Sequence, residues 1–185
     1  MPYLGNQHIV GDSVRNFKVL DDISSHTATF DGSSASVVST SDNTIRIINH
    51  RFVQGQRVVY SNGGGGNING LTANAYYIIK DSPHTFKLAA NESDAASLTP
   101  INLTSVGTGS SHTLRVSFDG VNKKFKATHS SGNKTHIHHA TQLSVSINNV
   151  PQRPNDNLTF TEGFAVENKS IIVFKQAPIP TDIFF

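Results

Sequence analysis

Short runs of β-forming residues, broken every few positions by Gly, Pro, Asn or Asp, constrain this chain more than any other feature. From Phe17 onward "FKVLDDI", "TATFDG" and "ASVVST" cluster or alternate Val, Ile, Thr and Phe between turn formers. "TIRIINH" alternates so that Ile45 and Ile47 share one face and Arg46 and Ile48 the other. "QRVVY" and "AYYIIK" flank a glycine loop, "HTFKLAA" follows the "DSPHT" turn, and "PINLTS" and "SHTLRVSF" stand around "VGTGS". The last third reads "KKFKATH", "THIHHA", "QLSVSINNV", "SIIVFK" and "TDIFF" as strands. A short strand hides one face only and needs partners. Strands at such spacing predict an all-β fold, a sandwich or a barrel, and the β-sandwich is the architecture expected here. No segment carries the apolar stripe of a long amphipathic helix. Only "NESDAASL" has helical character, with Asn91 or Ser93 placed to cap it.

Residues 1–16 show no period and predict an extended arm. Two later stretches echo each other. "HTATFDG" (His26 to Gly32) and "HTLRVSFDG" (His112 to Gly120) both hold His-Thr and end in Phe-Asp-Gly. One reading makes the segment between them an insertion. The outer sandwich is then residues 17–38 plus 115–185, and residues 39–114 form a small inserted β module. The other reading is two unrelated strand–turn pairs, since Asp-Gly is a common turn dipeptide.

Charge and composition remove several function classes. Apolar residues are 36% and charged residues 15%, too apolar and too lightly charged for a disordered chain. The formal charge is +2, with basic residues scattered except for Lys123, Lys124 and Lys126, so no basic nucleic-acid face is expected. Absence of cysteine excludes disulfides and thiolate chemistry. The opening "MPYLGNQHIV" lacks the basic and apolar regions of a signal peptide, and no run approaches the roughly 20 apolar residues of a membrane span.

The loop "YSNGGGGNING" tests three chemistries and fails each. A phosphate loop of Walker type needs Gly-Lys-Ser/Thr after its spacer. A dinucleotide fingerprint needs Gly-x-Gly-x-x-Gly opening a helix; here Gly64, Gly66 and Gly70 miss the last spacing and a strand follows. A calcium nonapeptide needs Asp where Ile68 stands. What remains is a hairpin connection whose glycines give mobility or let backbone pass close to something. Its candidate interaction residues are Asn62, Gly63, Gly64, Gly65, Gly66, Asn67 and Asn69.

The "HIHH" stretch offers a second candidate. On a strand, His136 and His138 face one way and His139 the other. Imidazoles at i and i+2 can ligate a metal, but one chain supplies two of the usual four or more ligands. A trimer would supply six about its axis. A polar strand face meeting solvent is the plainer reading, so no metal or other cofactor is expected. Catalysis finds little support: no Gly-x-Ser-x-Gly elbow is present, and Asp21 and Asp22 point to opposite faces. Tyr76 and Tyr77 likewise occupy opposite faces of one strand, one for the core and one for a cross-strand pair.

Three stretches together resemble phage virion structural proteins, above all tail-fibre and other tail-appendage proteins of marine cyanophages. The first is "FKVLDDISSHTATFDGSSASVVST". The second resembles a recurrent phage module, with His50, Phe52, Gly55, Val58 and Tyr60, then Gly70-Leu71-Thr72, Tyr76-Tyr77, Thr85 to Ala89, Ile101 to Thr104 and Gly107 to Gly109. The third, "FDGVNKKFKAT…QLSVSINNVPQRP…SIIVFKQAPIPTDIFF", resembles a β-sandwich unit of phage appendages.

The resemblance implies a non-enzymatic structural protein of the virion tail, built from β repeats, often a homotrimer, and assembled in the host cytoplasm. Its partners would be its own copies and other tail proteins, with residues 1–16 as the attachment arm. A glycan- or receptor-binding module acting through the Asn62–Asn69 loop on a host surface glycan is the alternative of a different class. A baseplate, collar or head-decoration protein is another structural one. A sugar-degrading enzyme would need paired carboxylates at a cleft and ranks last. Relatives often carry basic residues where this chain has "HIHH", so the resemblance implies no metal role. The chain ends at Phe184-Phe185 inside an apolar stretch, as the first part of a longer fibre or as a docking strand.

Overall fold

Period-two burial sets the faces of the first sheet. A computed structural model describes residues 21–128 and 136–184. The expected arm at residues 1–16 lies outside the described residues. Seven strands form one antiparallel sheet: β1 (Ser25–Phe30), β2 (Val38–Ser39), β3 (Thr44–Arg46), β4 (Arg57–Ser61), β5 (Ala75–Lys80), β6 (Thr85–Ala89) and β7 (His112–Ser117). Their spatial order is β1-β7-β4-β5-β6-β3-β2. Alternate residues Ala28 and Phe30, Val58 and Tyr60, Tyr76 and Ile78, Phe86 and Leu88, Leu114 and Val116 are buried on one face, with Val38 and Ile45 beside them. Burying each large apolar side chain of this kind stabilises the fold by about 1.5–3 kcal/mol.

The second sheet is smaller. It comprises β8 (Lys124–Lys126), β11 (Pro154–Asn155), β12 (Phe164–Glu167) and β13 (Ile171–Phe174), in the order β11-β12-β13-β8. β9 (Ser146–Ile147) and β10 (Val150–Pro151) make a separate hairpin. The turn between them places Asn148 and Asn149 at φ 53° and 63°, the left-handed pair that a two-residue hairpin loop requires. One hydrophobic core runs through both sheets, from Ile45, Ile78 and Leu114 to Phe125, Phe164 and Ile172. Phe118, just past β7, packs edge-on against Phe125 at 4.9 Å and Phe174 at 6.2 Å between ring centroids, which welds the second sheet to the first.

Two buried amides add a polar seam. Asn122 Oδ1 accepts from the Arg57 amide at 3.2 Å, and its Nδ2 donates to the Arg57 carbonyl at 2.8 Å. Gln56 Oε1 accepts from the Val53 amide at 3.1 Å while its Nε2 donates to the Lys124 carbonyl at 2.8 Å. Both side chains are almost wholly enclosed, so these bonds satisfy groups that would otherwise be costly to bury.

The fold is thus all-β, with the sandwich-like layering that the turn spacing predicts. The two echoing stretches prove to be partners. β1 and β7 are antiparallel neighbours, with His26 opposite Val116 and Phe30 opposite His112. The chain therefore leaves β1 beside the point where it enters β7. β4 continues the ladder from β7, with Tyr60 opposite Leu114. Boundaries drawn at 38/39 and 114/115 fall inside β2 and β7.

Several local readings change. "PINLTS" forms no strand, only a single bridge from Ser105 to Asn69. Its donors go elsewhere: the Ile101 amide to the Leu88 carbonyl at 2.7 Å, and the Leu103 amide to Asn43 Oδ1 at 2.7 Å. "THIHHA" is not a strand over its described residues either. It enters a 3₁₀ turn at Ala140–Gln142, where Gln142 Oε1 accepts from the His138 and His139 amides. "TDIFF" contributes one bridge, Phe184 to Ile147, because Asp182 folds back to accept the Ile179 amide. "FAVE", which is β12, has no strand reading in the sequence. The helical reading holds: α1 (Glu92–Ala96) is capped by Asn91, whose side chain accepts from the Asp94 amide at 2.8 Å. Ala95 of α1 packs with Tyr77, Ile79 and Ala89 on the outer face of the first sheet.

Candidate functional site

Four consecutive glycines follow β4, and three of them, Gly63, Gly65 and Gly66, are clamped against Thr108 and Ser111. A Cβ on Gly63 would stand 2.1 Å from the Ser111 carbonyl oxygen, and one on Gly65 only 1.8 Å from that of Thr108. At Gly66 it would meet Thr108 Oγ1 at 2.8 Å. Gly64 has open space but a φ of 90°. The glycines therefore serve close passage of two backbones at three positions and a left-handed turn at Gly63 and Gly64. Hydrogen bonds hold the contact. The Gly66 amide donates to the Thr108 carbonyl at 3.1 Å and the Thr108 amide returns a bond to Gly66 at 3.0 Å. Asn62 and Asn67 join their side chains at 2.9 Å across the loop.

Beneath the loop lies a buried relay. Ile68, fully enclosed, donates its amide to Tyr60 Oη at 3.3 Å. The hydroxyl is 2.8 Å from His112 Nδ1 and donates to it, since His112 Nε2–H is committed to the Thr108 carbonyl at 3.1 Å. Burial pushes the Tyr60 phenol up from its usual pKa. Residues 60, 68, 108 and 112 thus fasten tip, strand and return loop together. Ile68, the position where a calcium loop would hold aspartate, is a core anchor.

His136 and His138 are separated by the buried Ile137 and both are exposed. The Ile137 amide donates to the Lys169 carbonyl at 2.8 Å. His139 Nδ1 lies 4.0 Å from Asp156 Oδ1. Among the described residues, no group of three or more His, Cys, Asp or Glu side chains converges as a metal set.

Two other histidines carry more of the fold than the sequence indicates. His50, 2% exposed, accepts the Phe52 amide at Nδ1 (3.0 Å) and donates from Nε2 to the Ser82 carbonyl (3.0 Å). His26 Nε2 donates to the His50 carbonyl at 3.2 Å. His50 packs against Phe52 and Phe86, and His26 against Phe52. Burial, ahead of nearby positive charge, holds both imidazoles below the usual histidine pKa. His50 opens the "HRF" of the quoted module pattern, but nothing in the sequence ties it to His26.

A wide cavity lies away from the glycine loop. It is a trough of about 610 Å³ between the two sheets, walled by Asn49–Phe52, Lys80 and Pro83 on one side and by Lys126–Thr128, His136 and Asn168–Ser170 on the other. Sequence reasoning missed it because its cations come from four separate segments. Comparison of this chain with protein-family models, with curated proteins and with solved structures finds no match.

Proposed function

We propose that this chain is a non-enzymatic structural module of a phage virion, a tail fibre or other tail appendage, working as a homotrimer alongside other tail proteins. The observation that supports it is where the quoted module pattern falls. His50, Phe52, Val58, Tyr60, Leu71, Tyr76, Phe86, Leu88 and Leu103 are all core residues, and Gly70 and Gly107 are positions where a Cβ would meet backbone within 2.5 Å. A pattern made of core and turn residues is the signature of a framework. A catalytic family's signature would instead keep polar groups converging on a cleft. The resemblance read from the sequence supplies the virion; the burial pattern supports a scaffolding role. In this reading residues 1–16 attach the module, and assembly takes place in the host cytoplasm.

Quantitative mass spectrometry of purified particles, with native mass measurement of the isolated protein, tests this. The expected result is peptides of this chain in the particle at a copy number divisible by three, and a solution mass three times the 20.0 kDa of one chain. Absence from intact particles overturns the virion role, and a monomer both in solution and in the particle overturns the trimer.

A further inference from the structure

The trough between the sheets gathers positive charge that the rest of the surface does not use. Lys80 ends β5, Arg51 leads into the first sheet's core, and Lys169 sits in the β12–β13 turn. Lys126 reaches the same space from β8, with its Nζ donating to Ser170 Oγ. Asp21 approaches Arg51 at 3.8 Å; among the described residues, Lys80 and Lys169 have no carboxylate within ion-pair distance. A second cavity of about 330 Å³ adjoins the first and shares Lys80, Lys126, Asn168 and Ser170 with it. The one carboxylate there, Glu167, is engaged by Lys124 at 2.9 Å.

The backbone gives an independent pointer. Of the eight non-glycine residues with positive φ in the described chain, four wall this trough: Asn49 (52°), Arg51 (60°), Asn168 (49°) and Lys169 (58°). Asn tolerates the left-handed region, but Arg and Lys do not, and glycine would be cheaper at both positions. Asn168 and Lys169 are the central pair of the β12–β13 turn, closed by the Ser170 amide on the Glu167 carbonyl, so their φ belongs to that turn; the strain that can mark a ligand site is that of Arg51. The positive field also reaches inward. After burial, Lys80 is a cause of the lowered His50 pKa, and Arg51 of the lowered His26 pKa.

We infer that the trough is a binding site for an acidic saccharide, a short sugar chain carrying carboxylate or sulfate groups. Two adjoining cavities of this size suit a few sugar rings rather than a single ion. Lys80, Arg51 and Lys169 receive the anionic groups, and the Asn49 and Asn168 side chains offer donors and acceptors for hydroxyls. The scattered charge elsewhere leaves no continuous track for a nucleic-acid backbone. The inference stands on the trough alone, and holds whether or not the chain is a virion component.

Calorimetric titration with a sulfated disaccharide, a uronate disaccharide, the matching uncharged disaccharide and a short single-stranded oligonucleotide tests it, at fixed ionic strength. The variants are Lys80→Gln, Lys169→Gly and their combination. Lys169→Gly removes the charge while easing the backbone, so it should unfold no earlier than the parent. The expected result is binding of one or both acidic disaccharides, at least tenfold weaker in the double variant, with His50 ring resonances shifting on binding. The uronate and sulfate arms separate the two anionic groups. Three results overturn the proposal: no binding of either acidic sugar, binding unchanged in the double variant, or tighter binding of the oligonucleotide than of both sugars.

Discussion

Tyr60 Oη and His112 Nδ1 stand 2.8 Å apart inside the first sheet, and that bond ties the glycine loop to the strand on which the chain returns. The same hydroxyl accepts the Ile68 amide, so removing it strands two buried groups at once. Tyr60→Phe keeps the ring and loses only the oxygen. It should destabilise the fold by about 1–3 kcal/mol, the usual cost of an unsatisfied buried donor or acceptor. Urea unfolding measures this as a lower midpoint at unchanged slope. A midpoint equal to the parent's would show that the relay contributes nothing.

The glycine run makes a sharper prediction, because its members differ. Gly65→Ala drives a methyl into the Thr108 carbonyl, while Gly64→Ala meets open space and pays only for its φ of 90°. Overpacking against backbone costs about 1–3 kcal/mol and has to part the two segments. Amide hydrogen exchange at Gly66 and Thr108 should therefore quicken by about tenfold or more in Gly65→Ala, since 1.4 kcal/mol is a factor of ten. In Gly64→Ala those two amides should stay protected. Equal exchange in the two variants would place the clamp somewhere other than Gly65.

The contrast between these glycines shows what the sequence carried and what it withheld. Alternation in "RVVYS" and "AYYIIK" fixes which residues face inward, because a strand's period is two, and β4 and β5 follow it. The glycine run excludes phosphate and calcium chemistry by residues that are missing or replaced, which needs no structure. Whether those glycines are loose or clamped depends on Thr108 and Ser111, more than forty residues away in sequence, and no local pattern reports such a partner. "PINLTS" has strand-forming residues, but Asn43 and Leu88 take its backbone bonds, so tertiary contact overrides propensity. β12 escapes notice for the opposite reason: Phe164 and Ala165 are both buried, so the strand has no alternation to read. The trough is the extreme case, assembled from Arg51, Lys80, Lys126 and Lys169, each an ordinary surface cation in its own segment.

Buried histidine gives the fold an acid limit above the carboxylate range. His26 and His50 have folded pKa values below that of the unfolded imidazole, which titrates near 6.5. Above about pH 6.5 neither state binds the extra proton, and the stability is fully present. As pH falls below that value the unfolded chain takes protons first, so stability is lost down to the folded pKa values. Protonating His50 at Nδ1 would also break its bond from the Phe52 amide. The melting temperature should begin to drop as pH falls below about 6.5, ahead of carboxylate titration. His26→Gln should flatten that drop. Ring titration by NMR supplies the second reading: the His26 and His50 resonances should move at a pH below the usual histidine pKa of about 6.5. A flat melting temperature across this window would contradict the buried neutral assignment.

Asn122 supports the last prediction, on how the two sheets hold together. Its amide bonds the Arg57 backbone twice, at 3.2 and 2.8 Å, standing in for a strand neighbour at the start of β4. Its own amide donates to Asp119 Oδ1 at 2.7 Å, and Asp119 in turn forms an ion pair with the Arg57 side chain. Asn122→Asp keeps the acceptor but puts a charge beside the Arg57 carbonyl, which the lost Nδ2 donor had satisfied. Asn122→Ala removes both bonds without adding charge. Each leaves a buried carbonyl at Arg57 without its partner, so each should cost about 1–3 kcal/mol, with Asp the worse of the two because a carboxylate there is also desolvated. Asn122→Ala further exposes the seam between β4 and β8, so amide exchange at Arg57 should rise in that variant while exchange at Tyr60 stays slow. Loss of protection at both positions together would mean that the sheets separate as one unit and that Asn122 has no local part in joining them.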